Sequence, residues 1–154
     1  MSGVRILGIG SPSGDDQAGW LTVDALLDLG IGAVKLDRPG ANLIPLLEKA
    51  DWVILVDATQ GSGRAGDIRH FGRDDWTGHG GGLSSHGFGV LDALTLAQAL
   101  GSLPPRLDLY GIEIGSANPG GSPGDEVLAA AQRLAKRIAA RLGEAAARGP
   151  RAAA

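Results

Sequence analysis

The sequence predicts a three-layer α/β/α fold, with helices on both sides of a twisted, mostly parallel sheet of five strands. One observation is a set of short apolar runs, typical of strands that are buried on both faces of a parallel sheet. The other is apolar residues spaced three or four apart between these runs, which indicates helices. Because the two patterns alternate, we expect a single α/β domain over residues 1–143.

Five segments have the composition of strands. The apolar alternation of the last one changes phase between Leu109 and Tyr110, which predicts a bulge near Gly111. The two strongest candidates are apolar almost throughout, as expected of central strands. The candidate strands are residues 4–10, 33–37, 52–57, 67–71 and 107–114.

Four segments have helical periodicity. The last helix has the clearest start, because Ser122 and Asp125 resemble a capping pair and Pro123 suits a first helical position. Residues 144–154 carry no apolar stripe, so we expect them to form a disordered tail. The predicted buried faces are Trp20, Val23 and Leu27; Leu43, Leu46 and Leu47; Val90, Leu94 and Ala97; and Val127, Ala131, Leu134, Ile138 and Leu142.

Charge and composition narrow the class of partner. The net charge is only −3 and the basic residues are scattered, which argues against a nucleic-acid or anionic-lipid partner and favours a protein or a small molecule. No apolar run is long enough to cross a bilayer and no signal-type segment is evident, so we expect a cytoplasmic protein, acting as a monomer. The chain has no cysteine, so any metal must be bound by carboxylates and imidazoles.

Acidic residues follow two of the predicted strands. A glycine-rich loop after the first strand ends in Asp15 and Asp16, and the middle strand ends in Asp57. Because the carboxyl ends of parallel strands share one edge of the sheet, these acids can meet there. Asp15 or Asp16 can instead cap the following helix, and Asp57 can be a simple strand-ending polar residue.

A histidine adds an imidazole to these carboxylates. His86 lies in a loop of small residues before the third predicted helix, where it can contribute to a site or only cap the helix. We interpret His70, in a weak strand, as structural and His79 as a loop residue. Two carboxylates and an imidazole suit nickel or zinc, and they also suit acid–base chemistry on a peptide bond. The spacing does not separate these roles.

The combination of motifs resembles the hydrogenase maturation protease family over residues 4–142. An acid followed by glycine in residues 36–40 is similar to the family's second-strand end, whereas Ser11 stands where the family usually has asparagine and the loop before Asp15 is one residue shorter. The motifs that carry the resemblance are Gly8-x-Gly10 with Asp15, Asp16 and Gly19; Leu55-Val56-Asp57-Ala58; and Ser85-His86 before a helix.

The resemblance implies an endopeptidase that removes the C-terminal extension of a [NiFe] hydrogenase large-subunit precursor. It implies that Asp16, Asp57 and His86 form the site, both as catalytic residues and as contacts to nickel. The nickel would arrive with the large subunit and mark it as metal-loaded, rather than belong to the protease.

Two other functions fit parts of the pattern. Strand-end acids also describe a phosphoacceptor receiver domain in which Asp57 takes the phosphoryl group. That fold needs a lysine after its last strand, and none lies between Ile112 and Asn118. A catalytically inert, protein-binding relative of the protease family is the second alternative.

Overall fold

The computed structural model describes residues 3–11, 17–60, 63–76, 89–115 and 123–148. Strands and helices follow one another along the chain as the apolar patterns predict. The strands are β1 (Val4–Gly10), β2 (Val34–Asp37), β3 (Trp52–Thr59), β4 (Ile68–Phe71) and β5 (Arg106–Glu113). The helices are α1 (Ala18–Asp28), a 3-10 turn (Gly40–Leu43) that continues into α2 (Ile44–Leu47), α3 (Val90–Ala99) and α4 (Asp125–Ala147).

The five strands form one sheet in the order β2-β1-β3-β5-β4. Neighbouring strands pair in parallel except β4, which is antiparallel to β5. The predicted mostly parallel, five-stranded α/β fold is therefore confirmed. The carboxyl ends of β1, β2, β3 and β5 lie at one edge of the sheet, called here the carboxyl edge, and β4 begins at that edge.

Both faces of the sheet are buried. Helices α2 and α3 cover one face, called here the α3 face, where Leu55 and Leu109 lie. Helices α1 and α4 cover the other, the α4 face, where Ile54 and Tyr110 lie. The residues predicted to be buried in the second and third helices join the α3-face core, although Leu46 is only partly buried: Leu43, Leu47, Val90, Leu94 and Ala97.

The predicted bulge near Gly111 is wrong. The pairing of β3 with β5 runs without interruption from Trp52 opposite Arg106 to Thr59 opposite Glu113. The change of apolar phase has a simpler cause, because β5 is buried on both sides. Leu109 contributes to the α3-face core and Tyr110 to the core on the opposite face.

The buried face of α1 differs from the prediction. Val23 and Leu26 are buried, but Leu27 is 50% exposed. Gly19 sets this orientation, because a Cβ there would contact the carbonyl oxygen of Ile9 and lie 2.6 Å from that of Val56. At Gly19 the helix approaches β1 and β3 so closely that no side chain fits between the helix and the strands.

Helix α4 buries the predicted stripe, with Leu142 only partly buried, but it has different ends. It begins at Asp125 with Gly124 as N-cap, so the predicted start at Pro123 is wrong, and Ser122 lies outside the described residues. The helix continues to Ala147, so residues 144–147 are helical rather than part of a disordered tail. Residues 149–154 lie outside the described residues. Across the described parts of the chain, no helix is long and apolar enough to span a membrane.

A polar cluster around Asp108 joins α4 to the sheet near the amino end of β5. His70 Nε2 lies 2.6 Å from Asp108 Oδ1, and Trp52 Nε1 donates to Asp108 Oδ2 at 2.7 Å. Arg141 of α4 lies 3.5 Å from Asp108 and donates to the Tyr110 hydroxyl at 2.8 Å. These contacts agree with the interpretation of His70 as structural. They also provide hydrogen-bond partners for the Asp108 carboxylate, a residue that is only 5% exposed.

We predict that Gly19→Ala destabilises the fold by about 1–3 kcal/mol, because the added methyl group meets backbone atoms that cannot move aside. Urea unfolding of both proteins measures the difference. Gly143→Ala is the control, since Gly143 lies in α4 with nothing within 4 Å of an added Cβ. There the better helix propensity of alanine should stabilise by up to about 1 kcal/mol. Equal stability of Gly19→Ala and the wild type would refute the close-packing argument.

We predict that Asp108→Asn destabilises the protein by about 1–3 kcal/mol, because an amide turns one acceptor oxygen into a donor that faces other donors. Thermal and urea unfolding measure the loss. Asp24→Asn is the matched control: it breaks the 2.8 Å ion pair with Lys35, but the Asp24 side chain is 53% exposed. That loss should stay below about 1 kcal/mol. If both variants lose the same stability, the buried cluster is not an anchor.

Candidate functional site

Asp57 is buried at the carboxyl edge of the sheet. It lies near the end of β3, two residues after Leu55, and therefore points to the α3 face. The residue is only 2% exposed, and its Oδ1 accepts a hydrogen bond of 2.8 Å from the Ala58 N–H. A carboxylate withdrawn from water needs such donors, and this one fixes the orientation of the group.

The neighbouring strand ends approach the same edge. Gly10 at the end of β1 is opposite Asp37 at the end of β2, and the following Ser11 is only 3% exposed. The Asp37 side chain is 54% exposed and lies 3.1 Å from Arg38 Nε. Arg38 adopts a φ of 41°, a left-handed conformation that favours glycine. Asp37 thus lies at the expected edge but faces solvent rather than the buried surroundings of Asp57.

Asp16 and His86, the other two predicted site residues, lie outside the described residues, as do Asp15 and His79. Their positions in the chain are bounded by described neighbours. Asp16 directly precedes Gln17, the N-cap of α1, and His86 comes three residues before Gly89, the N-cap of α3. The structure therefore describes one of the three predicted residues directly and the helix starts beside the other two.

The start of α3 points to the carboxyl edge. Ser102, three residues after α3, donates to Glu48, which follows α2 and precedes the start of β3 by four residues. The C-terminal end of α3 thus lies at the amino edge of the sheet. Its N-terminal end lies at the opposite edge, on the same face as the Asp57 side chain.

A second buried carboxylate lies at the same edge, on the strand next to that of Asp57. Glu113 ends β5, is 0% exposed and is opposite Thr59 in the β3–β5 pairing. Its Oε2 accepts from the Gly115 N–H at 3.1 Å, and its Oε1 lies 3.4 Å from the Thr59 hydroxyl and 3.8 Å from Arg69 Nη2. The sequence analysis missed Glu113. The strand-end rule that selected Asp57 would also have selected it, because it too closes a buried apolar strand.

The chemistry of Asp57 is that of a metal ligand or of a proton acceptor. Within the residues that the structure describes, no group of three His, Asp or Glu side chains is arranged to hold a metal ion. The predicted ligand set draws two of its three members from outside those residues. A fixed, buried carboxylate such as Asp57 is suited to contacting a divalent cation or to accepting a proton.

The strand order excludes the receiver-domain alternative. A receiver domain has the strand order 2-1-3-4-5. In this protein β5 is inserted between β3 and β4, and β4 is antiparallel to its neighbour. Asp57 is therefore not the phosphoacceptor of such a domain.

Several solved structures of the same architecture are hydrogenase maturation proteases. HybD from E. coli, a hydrogenase maturating endopeptidase, superposes with a TM-score of 0.76 at 22% identity, covering 94% of each chain. From Thermococcus kodakarensis, the [NiFe] hydrogenase maturation proteases HybD and HycI each superpose with a TM-score of 0.70 at 23% identity. The HybD match covers 92% of this chain and 99% of the other, and the HycI match covers 90% of each. None of the curated proteins matches this chain.

The family itself is identified from sequence. The HycI family model, described as hydrogenase maturation protease, matches residues 27–141. That span contains Asp57 and His86 and begins after Asp16. Because it covers most of the chain, and the solved structures share the fold, this protein belongs to the hydrogenase maturation protease family and is a hydrolase of peptide bonds.

Proposed function

We propose that the enzyme removes the C-terminal extension of a nickel-loaded [NiFe] hydrogenase large-subunit precursor. The observation that carries this proposal is the Asp57 carboxylate, which is buried and oriented at the carboxyl edge of a hydrogenase maturation protease fold. In open α/β sheets, ligands bind at this edge. The partner is then the precursor protein, on which the enzyme acts as a monomer in the cytoplasm.

Asp16, Asp57 and His86 are the proposed contacts to the nickel of the precursor. Carboxylate oxygens and an imidazole nitrogen are suitable donors for this ion. The Ala58 N–H that holds Asp57 Oδ1 at 2.8 Å fits this role, because metal-binding carboxylates are commonly oriented by a hydrogen bond to a second group. The ion belongs to the substrate, so the enzyme acts only on a subunit that has received its metal.

In this mechanism the protein chain contributes to catalysis by orienting Asp57 and the substrate. Strand β3 is buried along its whole length, so Asp57 approaches the substrate from a rigid support. Bound nickel would supply a fixed point of attachment for the substrate. A peptide bond held at a defined distance from the site reacts faster, because the entropy of alignment has already been lost on binding.

We predict that His86→Ala lowers precursor processing by about a hundredfold or more, since the loss of one of three contacts misplaces the scissile bond. The yield of shortened subunit, measured by mass spectrometry on a nickel-loaded precursor, tests this. His79→Ala and His70→Ala are the controls. Processing by His86→Ala at the wild-type rate would contradict the site assignment. A wild type that binds the precursor without cutting it would favour the inert-relative alternative.

We also predict that nickel or cadmium soaked into crystals binds between Asp16, Asp57 and His86. Anomalous scattering locates the ion independently of activity. Asp57→Asn should lose the peak without losing the fold, because asparagine has nearly the same shape and can still accept from the Ala58 N–H. Ion density elsewhere, with the three side chains far apart, would refute the proposed contacts.

A further inference from the structure

Three residues on adjacent strands form a row across the sheet beside the site. Asp57 of β3 is opposite Gly111 of β5, and Gly111 is opposite Arg69 of β4. Adjacent strands lie about 4.8 Å apart, so the backbones of Asp57 and Arg69 are separated by about 10 Å. Gly111 adds no side chain between them.

Asp57 and Arg69 point to the same side of the sheet. Side chains alternate along a strand, so Asp57 shares a face with Leu55 and Arg69 shares a face with Phe71. Leu55 and Phe71 both belong to the α3-face core. The acid and the guanidinium therefore flank the glycine on the face where α3 begins.

The guanidinium of Arg69 reaches toward the carboxyl edge. Its Nη2 lies 3.8 Å from Oε1 of Glu113, which is two residues closer to that edge than Gly111. The side chain is 36% exposed, so solvent reaches part of it. Arg69 thus extends along the sheet toward the end at which Asp57 lies.

The contact with Glu113 engages few of the hydrogen-bond donors of Arg69. An arginine that is fully paired with a carboxylate donates two parallel hydrogen bonds of about 2.7–2.9 Å. The Arg69–Glu113 ion pair is longer, at 3.8 Å. Glu113 also has the Gly115 N–H and the Thr59 hydroxyl nearby. A guanidinium has five N–H donors in a planar fork that matches a carboxylate.

We propose that Arg69 binds a carboxylate of the peptide substrate close to the bond that is cut. This inference rests on the proposed function and adds a specificity-determining residue to it. The carboxylate belongs either to an acidic side chain near the cleavage site or to the C-terminus of the extension. Both present the same planar anion to the guanidinium, about two strands away from Asp57.

The test compares steady-state cleavage of the nickel-loaded precursor by the wild type, Arg69→Met and Arg69→Lys. We expect Arg69→Met to raise KM about ten- to hundredfold with little change in kcat, as for the loss of a charge-assisted hydrogen bond to the substrate. Arg69→Lys should recover part of the loss because it keeps the charge. Arg73→Met is the matched control. Arg73 follows β4 at the other end, where it donates to the Pro104 carbonyl, and its loss should leave KM unchanged.

A double variant separates substrate binding from neutralisation of Glu113. If Arg69 only balances the buried charge of Glu113, Arg69→Met with Glu113→Gln should restore the KM of Glu113→Gln alone. If Arg69 binds the substrate, KM stays raised in the double variant. Thermal unfolding of each variant confirms that the proteins compared are folded.

Changes in the precursor identify the carboxylate. Acidic side chains near the cleavage site are replaced by their amides, and a second precursor carries a ligated extension ending in an amide. The relevant change should raise KM for the wild type but not for Arg69→Met. If Arg69→Met has the KM of the wild type, or if neither precursor change has an effect, the inference about Arg69 is overturned and the proposed function is not. Failure of the wild type to cut any nickel-loaded precursor would instead overturn the proposed function on which it rests.

Discussion

The uninterrupted parallel pairing of β3 with β5 is the constraint on which the site depends. It sets Asp57 beside Gly111 and Thr59 beside Glu113, so two strands end together with buried polar groups on one face. Each strand is also buried on both sides, and a slip of one strand by one residue would turn its buried polar residue, Asp57 on β3 or Glu113 on β5, into the α4-face core. The energy of two apolar cores thus opposes any misplacement of the polar edge.

The close approach of α1 reinforces this arrangement. Gly8 and Gly19 have no Cβ, so the helix can rest against β1 and the adjoining part of β3. Backbone in direct contact has little freedom to shift, because no flexible side chain lies between the helix and the strands. The start of α1, which Asp16 precedes, is therefore fixed relative to the strand that carries Asp57.

The sequence predicts local patterns well and long-range relations poorly. Continuous apolar runs mark the strands, and the position of Asp57 after such a run places it at the carboxyl edge of the sheet. The orientation of α1 is not predictable from periodicity, because it depends on which residues allow backbone contact with the sheet. The length of α4 was underestimated, since an alanine-rich segment has high helix propensity even without a buried stripe. Arg69 lies level with Asp57 only because β4 runs antiparallel to β5 at the edge of the sheet. That pairing joins residues distant in sequence, so local patterns do not predict it.

The Asp108 cluster lies near the amino end of β5, about five residues or roughly 16 Å along the strand from Glu113. The Asp108 cluster and the carboxyl edge are thus physically separate. Exposed residues at the carboxyl edge, such as Asp37, can change in charge and shape while the contacts of Asp108 remain intact. Such a division allows the exposed surface of the carboxyl edge to diverge between members of the family with little loss of stability.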